Sequence, residues 1–274
     1  MLAGHMMSQM LSVSSGWSFC GGGCGEQEFY QWLLVGWCVI GAGAFFALRK
    51  IAAPYGRFYR QGWGRGISGR LGWFLMESPA AWTVGLLFVL GDRRDPVAVV
   101  FCAVWCCHYL YRGFIYPLRL RSNRLVSMFV VLSAIAFNIT NGYLQGRWLF
   151  HLAPSYPTAW LRDPRCVAGV ILFAVGFVIT IRSDNILRQL RATGNGEYRI
   201  PHGGMFRWVS CPNYFGELLE WAAWALLTWS PPGLVFLFWA AANLVPRALA
   251  YHRWYRDQFP DYPADRKAVI PFLL

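Results

Sequence analysis

Long apolar runs alternate with short polar segments along the 274-residue chain. Seven of these runs could each form a buried helix: residues 29–48, 71–90, 96–118, 125–145, 166–181, 214–229 and 234–250. Several runs fall slightly short of the ~20 residues that span a bilayer upright, a mismatch that helix packing can absorb. The pattern therefore predicts an all-α fold, a polytopic membrane protein built as a bundle of seven transmembrane helices.

The chain divides into a short N-terminal segment and one long domain. Residues 1–25 are rich in glycine and serine, and we expect a flexible segment there without a cleavable signal peptide. Residues 26–274 are expected to form a single membrane domain, in which positions 183–274 carry most of the motifs described below.

Composition supports the membrane assignment and suggests an orientation. Only 14% of the residues are charged, whereas a soluble domain usually carries about 25%. The net charge of +12 lies mostly in loops after the first, third and fifth runs and in the C-terminal tail. If the chain crosses the membrane seven times, these basic segments all lie on the same side of the membrane. The positive-inside rule makes that side cytoplasmic, so the C-terminus is expected in the cytoplasm and the N-terminus outside. The charge thus indicates topology and anionic ligands, and we expect no nucleic-acid partner.

Two polar side chains interrupt the apolar runs at membrane depth: Glu77 in the second run and Tyr109 in the third. Ionisable groups are costly there and usually functional, and burial favours the protonated form of a carboxyl. A protonated carboxyl and a phenol together could polarise a ketone oxygen, as an oxyanion hole does. The alternatives are a buried hydrogen bond between helices for Glu77 and ordinary aromatic packing for Tyr109.

The stretch 197–221 is a loop punctuated by glycine and proline that leads directly into an apolar helix. Asn213 is predicted to cap this helix, and Glu217 and Glu220 would share one helix face near the membrane boundary. These carboxylates could belong to a ligand site, or they could simply complement the helix dipole.

Asp184, Arg188 and Arg191 lie about one turn apart just beyond the fifth run. With arginines from other loops they would suit a ligand with several phosphates, although a positive-inside bias alone would also explain them. The five histidines show no metal-ligand spacing, and Cys20 and Cys24 lack a second pair, so we expect no metal. The G-x-G-x-x-G match at 64–69 lies between membrane spans, which argues against a Rossmann unit.

Taken together, the motifs resemble the membrane steroid 5α-reductases, also called 3-oxo-5α-steroid 4-dehydrogenases. The similarity runs through W-F-L-x-E-x-P around Glu77, H-Y-x-x-R around Tyr109 and T-N-G-Y-L-Q-G around Asn141. It is strongest over residues 183–274, in S-D-N-I-L-R-Q-L-R, Y-R-I-P-x-G-G-x-F, N-Y-F-G-E-L-L-E-W and a closing R-K-A-V-I-P-F. The C-terminal part alone is also similar to sterol reductases, enoyl reductases and isoprenylcysteine methyltransferases.

The resemblance implies reduction, by NADPH, of the Δ4 double bond of a 3-oxosteroid. Glu77 and Tyr109 would contact the C3 ketone, beside a substrate surface that includes Trp73, Met76 and Phe137. The residues expected to hold the cofactor are Arg112, Arg121, Asp184, Arg188, Arg191, Tyr198, Asn213, Glu217 and Tyr255.

Four further positions matter for the comparison with the family. Gly203 and Gly216 match glycines that allow close backbone approach. Met76 stands where mammalian members commonly have Gln, and Thr180 stands where relatives have Asn. The resemblance implies that Met76 removes a potential hydrogen bond to the substrate or the cofactor, and that Thr180 weakens another contact.

Three rival activities are compatible with the sequence. The first is a reductase of the same fold that acts on an enoyl thioester, a polyprenol or a sterol alkene. The second is a lipid-thiol methyltransferase that uses S-adenosylmethionine. The third is a non-enzymatic transporter or lipid-binding bundle. We expect a steroid or related lipid enone and membrane lipid as partners, and no obligate protein partner. We expect a bacterial homologue in an inner membrane, or the endoplasmic reticulum if the source is eukaryotic, with the cofactor site on the cytoplasmic side.

Overall fold

The structure is a computed structural model that describes residues 25–51, 53–120, 125–193 and 198–274. The expected flexible segment up to residue 24, with Cys20 and Cys24, lies outside the described residues, as do Arg121 and Glu197.

Long α-helices occupy all seven apolar runs. They are α1 Gly25–Lys50, α2 Gly69–Leu90, α3 Pro96–Leu110, α4 Met128–Arg147, α5 Pro164–Thr193, α6 Pro212–Thr228 and α7 Pro231–Gln258. Helix α3 continues through a π-helical turn, Tyr111–Ile115, and a last α-helical turn, Tyr116–Arg119. Helix α4 ends in a second π-helical turn, Trp148–Leu152, and short 3-10 helices lie at Gly56–Phe58, Thr158–Arg162 and Gly204–Arg207.

Six of the seven helical stretches in the described part of the chain are long and apolar enough to cross a membrane. The seventh, α6, has only 17 residues. Large apolar side chains such as Trp32, Val39 and Trp82 are exposed on the outside of the bundle, where lipid would cover them. The all-α, polytopic membrane class is therefore confirmed, whereas the number of spans and their orientation remain predictions.

Helices α5 and α7 extend well beyond the runs predicted for them. The backbone hydrogen bonds of α5 continue past its apolar part, so Asp184, Arg188 and Arg191 lie on the helix and not in a loop. In the same way Tyr255, which follows the run at 234–250, lies on α7 and not in a C-terminal tail. Hydropathy misses these ends because it detects lipid-like composition, whereas a helix continues as long as its polar side chains find partners.

The run at 125–145 is not helical throughout. Its first three residues form strand β2, Leu125–Ser127, which pairs antiparallel with strand β1, Gly66–Ser68. The Met128 N–H donates to the Arg65 carbonyl oxygen, so these residues continue the pairing and the helix begins only at Met128. The G-x-G-x-x-G segment therefore contributes a short antiparallel strand, which is unlike the βαβ unit of a dinucleotide fold.

Among the described residues, α5 and α6 pack against each other more extensively than any other two helices do. Gly176 and Gly216 lie at the crossing of the two helices, where neither position has room for a side chain. A Cβ at Gly176 would lie 2.6 Å from the Gly216 carbonyl oxygen, and a Cβ at Gly216 would lie 2.5 Å from the Thr180 hydroxyl. Small residues at such crossings let two backbones approach closely, which is how membrane helices gain packing contacts.

We predict that Gly176→Ala destabilises the protein by about 1–3 kcal/mol or more, because the added methyl group would contact backbone atoms that cannot move aside. Gly85→Ala on α2 is the matched control, since a Cβ there meets no atom within 4 Å. Thermal unfolding of the purified proteins in one detergent measures the difference. Equal melting temperatures for the two variants would contradict the close α5–α6 contact.

Candidate functional site

A cavity of about 480 Å³ opens between α2, the end of α3, α5, α6 and α7. This volume lies within the range of about 300–1,000 Å³ that is usual for small-molecule sites. Most residues expected to bind ligands line it: Trp73, Glu77, Arg112, Asp184, Arg188, Arg191, Asn213, Glu217 and Tyr255. Residues that are distant in sequence thus come together around one space.

One end of the cavity is organised by the buried guanidinium of Arg112. This side chain comes from the π-helical turn after α3 and donates to Asp184 on α5 over 3.3 Å. Its other terminal nitrogen lies 3.4 Å from the Glu217 carboxylate on α6. The rings of Trp73 and Tyr116 cover the guanidinium at 4.9 and 5.0 Å. A cation with paired carboxylates and aromatic neighbours can be buried at an acceptable free energy.

Asn213 supports this arrangement in a way that differs from its predicted role. The prediction that Asn213 caps α6 is wrong, because Cys211 occupies the cap position and Pro212 is the first helical residue. Proline suits that first position, since its missing N–H would have no helical partner there. The Asn213 amide is therefore free to donate to Asp184 over 3.3 Å.

Glu77 lines the same cavity from α2. The side chain of Asn138 on α4 lies beside the Glu77 carboxyl and donates to the Met76 carbonyl oxygen over 2.6 Å. This polar contact holds α2 against α4 at the turn that carries Glu77. Three carboxylates, from Glu77, Asp184 and Glu217, consequently face one space together with Arg112.

Basic side chains also line the cavity. Arginines from the loop after α1, from the end of α3 and from α5 line it: Arg57, Arg119, Arg188 and Arg191. On α5, Asp184, Arg188 and Arg191 follow one another along about 10 Å of helix, so acidic and basic groups are separated along the cavity. Such a gradient would orient a ligand that has phosphates at one end.

Arg57 lies in an aromatic box that the sequence did not reveal. Its guanidinium carbon is 3.4 Å from the ring centroid of Trp254 and 4.1 Å from that of Tyr198, and Tyr251 and Tyr255 complete the box. One nitrogen donates to the Tyr255 hydroxyl over 3.3 Å, whereas the buried Nε and Nη1 atoms have no partner among the described residues. Two donors therefore remain available for an acceptor.

A smaller cavity of about 20 Å³ adjoins this box. Arg57, Arg191 and Arg199 line it together with Tyr198 and Tyr255. Tyr198, expected at the cofactor site, thus lies here and not on the larger cavity. In sequence, Arg57 and Arg199 are only two of many basic residues in loops, so nothing distinguished them.

Arg247 fastens the loop that carries Arg57 to the helices. Its guanidinium lies 3.5 Å from the Tyr55 ring centroid and donates to the Tyr55 carbonyl oxygen over 3.2 Å and to the Tyr214 hydroxyl over 2.9 Å. Burial raises the pKa of Tyr55, partly offset by Arg247, so the phenol stays neutral at physiological pH. Beside this loop, burial raises the pKa of the Cys211 thiol to about 12, which makes a reactive thiolate unavailable.

Three predicted site residues lie behind the cavity wall. Tyr109 is buried, with its ring 4.9 Å from that of Trp105 and 5.9 Å from that of Trp221. Met76 packs in a small apolar cluster with Val126 and Val131. Phe137 packs on Trp239 and Trp37, at ring distances of 5.0 and 5.5 Å. Arg121 lies outside the described residues.

The two glycines singled out by the resemblance play different roles. Gly216 allows the close approach of α5 and α6 described above. Gly203 has open space around it, but its φ of 89° falls in the left-handed region that favours glycine. For Gly203 the constraint is therefore backbone conformation and not close contact.

The sequence of the chain is similar to those of one family of known proteins. A family profile for 3-oxo-5-alpha-steroid 4-dehydrogenase matches residues 124–274. Steroid 5-alpha-reductase DET2 of Gossypium hirsutum is 42% identical over 254 residues, which are 90% of this chain and 98% of that protein. 3-oxo-5-alpha-steroid 4-dehydrogenase 1 of Mus musculus is 40% identical over 84% of this chain and 91% of its own.

A human relative agrees with these matches. 3-oxo-5-alpha-steroid 4-dehydrogenase 2 of Homo sapiens is 42% identical over 76% of this chain and 82% of its own. The profile covers more than half of the chain, and the relatives match along most of their length. The chain therefore belongs to the 3-oxo-5-alpha-steroid 4-dehydrogenase family and is an oxidoreductase acting on CH–CH bonds.

Proposed function

We propose that this membrane enzyme reduces the Δ4 double bond of a 3-oxosteroid, using NADPH as the hydride donor. The relatives are named steroid 5-alpha-reductase and 3-oxo-5-alpha-steroid 4-dehydrogenase. The observation that carries the proposal is one cavity that is lined both by the carboxyl groups of Glu77, Asp184 and Glu217 and by arginines from several elements. Such a cavity suits a dinucleotide whose phosphates lie beside the arginines. An uncharged enone would then lie beside the nicotinamide ring of that dinucleotide.

The residues present fit this cofactor. Arg119, Arg188 and Arg191 would bind its diphosphate, and Asn213 and Glu217 offer an amide and a carboxylate to the carboxamide of the nicotinamide end. The free Nε and Nη1 donors of Arg57, near Arg191 and Arg199, suit the additional 2′-phosphate that distinguishes NADPH from NADH. When bound, NADPH would supply the hydride. The cofactor site would open to the cytoplasm if the orientation predicted from loop charges is right.

Glu77 and Tyr109 would act on the substrate ketone. A protonated Glu77 and the Tyr109 phenol each donate a hydrogen bond to the C3 oxygen and draw electron density from the conjugated alkene. C5 then accepts the hydride, the former C4–C5 π electrons form an enolate, and a proton adds at C4. Steroid entry must open the wall between the cavity and Tyr109, because that ring is buried. The apolar bundle excludes water, which strengthens both hydrogen bonds.

Purified enzyme in lipid vesicles provides the direct test. NADPH consumption should depend on a Δ4-3-ketosteroid, and chromatography should identify the 5α-dihydro product. Reduction of an enoyl thioester or a polyprenol in place of the steroid would favour a reductase of the same fold with another substrate. Binding of S-adenosylmethionine without binding of NADPH would favour the methyltransferase alternative.

We expect Glu77→Leu to lower kcat at least about 100-fold, because loss of one donor to a developing oxyanion typically costs 10²–10³ in rate. Glu77→Gln keeps a donor at the same place and should retain more turnover. Glu28→Leu, at an exposed acidic position on α1, is the control and should behave like the unmodified enzyme. Full steroid reduction by Glu77→Leu would remove Glu77 from the mechanism.

Cofactor selection gives an independent prediction. Arg57→Gln should raise KM for NADPH about tenfold and leave KM for NADH nearly unchanged, because only NADPH carries the 2′-phosphate. Arg207→Gln is the matched control, since that arginine is exposed and does not line either described cavity. An equal rise in both constants would show that Arg57 supports the site without recognising this phosphate.

A further inference from the structure

A buried polar trio lies one layer beneath the cavity and is not needed by the mechanism above. The Nδ1 atom of His108 on α3 is 2.7 Å from the Oε2 atom of Glu220 on α6, and the side chains are 2% and 0% exposed. The hydroxyl of Thr180 on α5 donates to the other carboxylate oxygen of Glu220 over 2.8 Å. None of the three is among the described residues that line the cavity.

Burial of such a trio calls for an explanation. Desolvating a carboxyl and an imidazole costs several kcal/mol, and apolar side chains of similar volume often stabilise a protein as well or better. Packing alone therefore gives no reason for a polar group here. What a hydrogen-bonded pair provides, and an apolar pair lacks, is a fixed distance and direction between two helices.

The His108–Glu220 pair lies next to Tyr109. His108 immediately precedes Tyr109, and their rings are 4.9 Å apart. Trp221 immediately follows Glu220, and its ring lies 4.6 Å from His108 and 5.9 Å from Tyr109. The His108–Glu220 bond therefore fixes both the turn that carries Tyr109 and the ring that packs against it.

A second polar pair joins the same two helices one turn away. Arg112 follows His108 by four residues, Glu217 precedes Glu220 by three, and these side chains are 3.4 Å apart. Tyr109 thus lies between two polar ties from α3 to α6. The Arg112–Glu217 tie belongs to the proposed cofactor site, whereas the His108–Glu220 tie is outside both cavities.

We propose that His108 and Glu220 are positioning residues that set the Tyr109 hydroxyl relative to Glu77, without touching the substrate. The inference rests on the proposed function, since it concerns the geometry of the two donors to the C3 ketone. A displacement of about 1 Å in a reacting group can cost about 100-fold in rate, so a tie of this kind would act on kcat. It would have little effect on cofactor binding, which depends on other side chains.

The test compares Glu220→Gln with the double variant His108→Phe plus Glu220→Met in lipid vesicles. The amide of Glu220→Gln can still bond His108, so kcat should fall less than about threefold. The double variant removes both polar groups and should stay folded, since apolar replacement of a buried pair is often neutral. We expect its melting temperature and its NADPH dissociation constant to stay near those of the unmodified enzyme, while kcat falls about 10–100-fold.

The other outcomes are decisive as well. A double variant that binds NADPH normally and retains kcat within twofold would overturn the positioning role alone. An unmodified enzyme that reduces no Δ4-3-ketosteroid would overturn the proposed function and this inference with it. If the double variant does not fold, Thr180→Val removes the hydroxyl that donates to Glu220 and that also lies 3.0 Å from the Gly176 carbonyl oxygen, while His108 and Glu220 themselves stay in place. It should lower kcat about 3–10-fold at unchanged KM for NADPH, and an unchanged kcat would count against the proposal.

Discussion

The cavity depends first on the ion pairs of Arg112 with Asp184 and Glu217. In a bundle surrounded by lipid, a guanidinium has few partners, and this one reaches Asp184 on α5 and Glu217 on α6 from the end of α3. Removing Arg112 would leave two buried carboxylates without their counter-ion, which costs far more than an ion pair itself contributes. The three helices are consequently held at distances set by the length of one arginine side chain. The space that remains between them is the cavity.

The opposite side of the cavity is held by a different kind of contact. Arg247 is buried, and its partners among the described residues are phenol hydroxyls, carbonyl oxygens and aromatic faces, with no carboxylate among them. Aromatic faces stabilise a cation through their quadrupole while keeping the surroundings apolar. Arg247 therefore retains its positive charge near the basic end of the cavity, where a paired carboxylate would have cancelled it. The Arg247 side chain also anchors the loop that carries Arg57. It therefore both holds this loop in place and contributes positive charge to the cavity.

Sequence reasoning reached the membrane class and the seven helical runs, and most of the site residues that it named line the cavity. Hydropathy detects the part of each helix that lipid contacts, which is why it missed the last three turns of α5 and the last two of α7. It gave no indication that Arg57 enters an aromatic box, because Tyr198 and Trp254 lie more than a hundred residues away. Sequence reasoning missed the His108–Glu220 pair for the same reason, because the two residues are separated by 112 positions. Spacing within one helix reports which residues share a face, but not what that face meets.

Helix α6 shows why such a site is hard to find from hydropathy. Its 17 residues would extend about 26 Å, which is less than the ~30 Å of a bilayer core. The helix packs against α5 and α7, and its residues Gly216, Glu220, Trp221 and Trp224 are buried within the protein. Because neighbouring helices cover it, α6 needs neither the length nor the apolar composition that lipid contact imposes. That shielding lets it carry Asn213, Glu217 and Glu220 at depth, so the helix that looks least like a membrane span is the one best able to hold polar groups for chemistry.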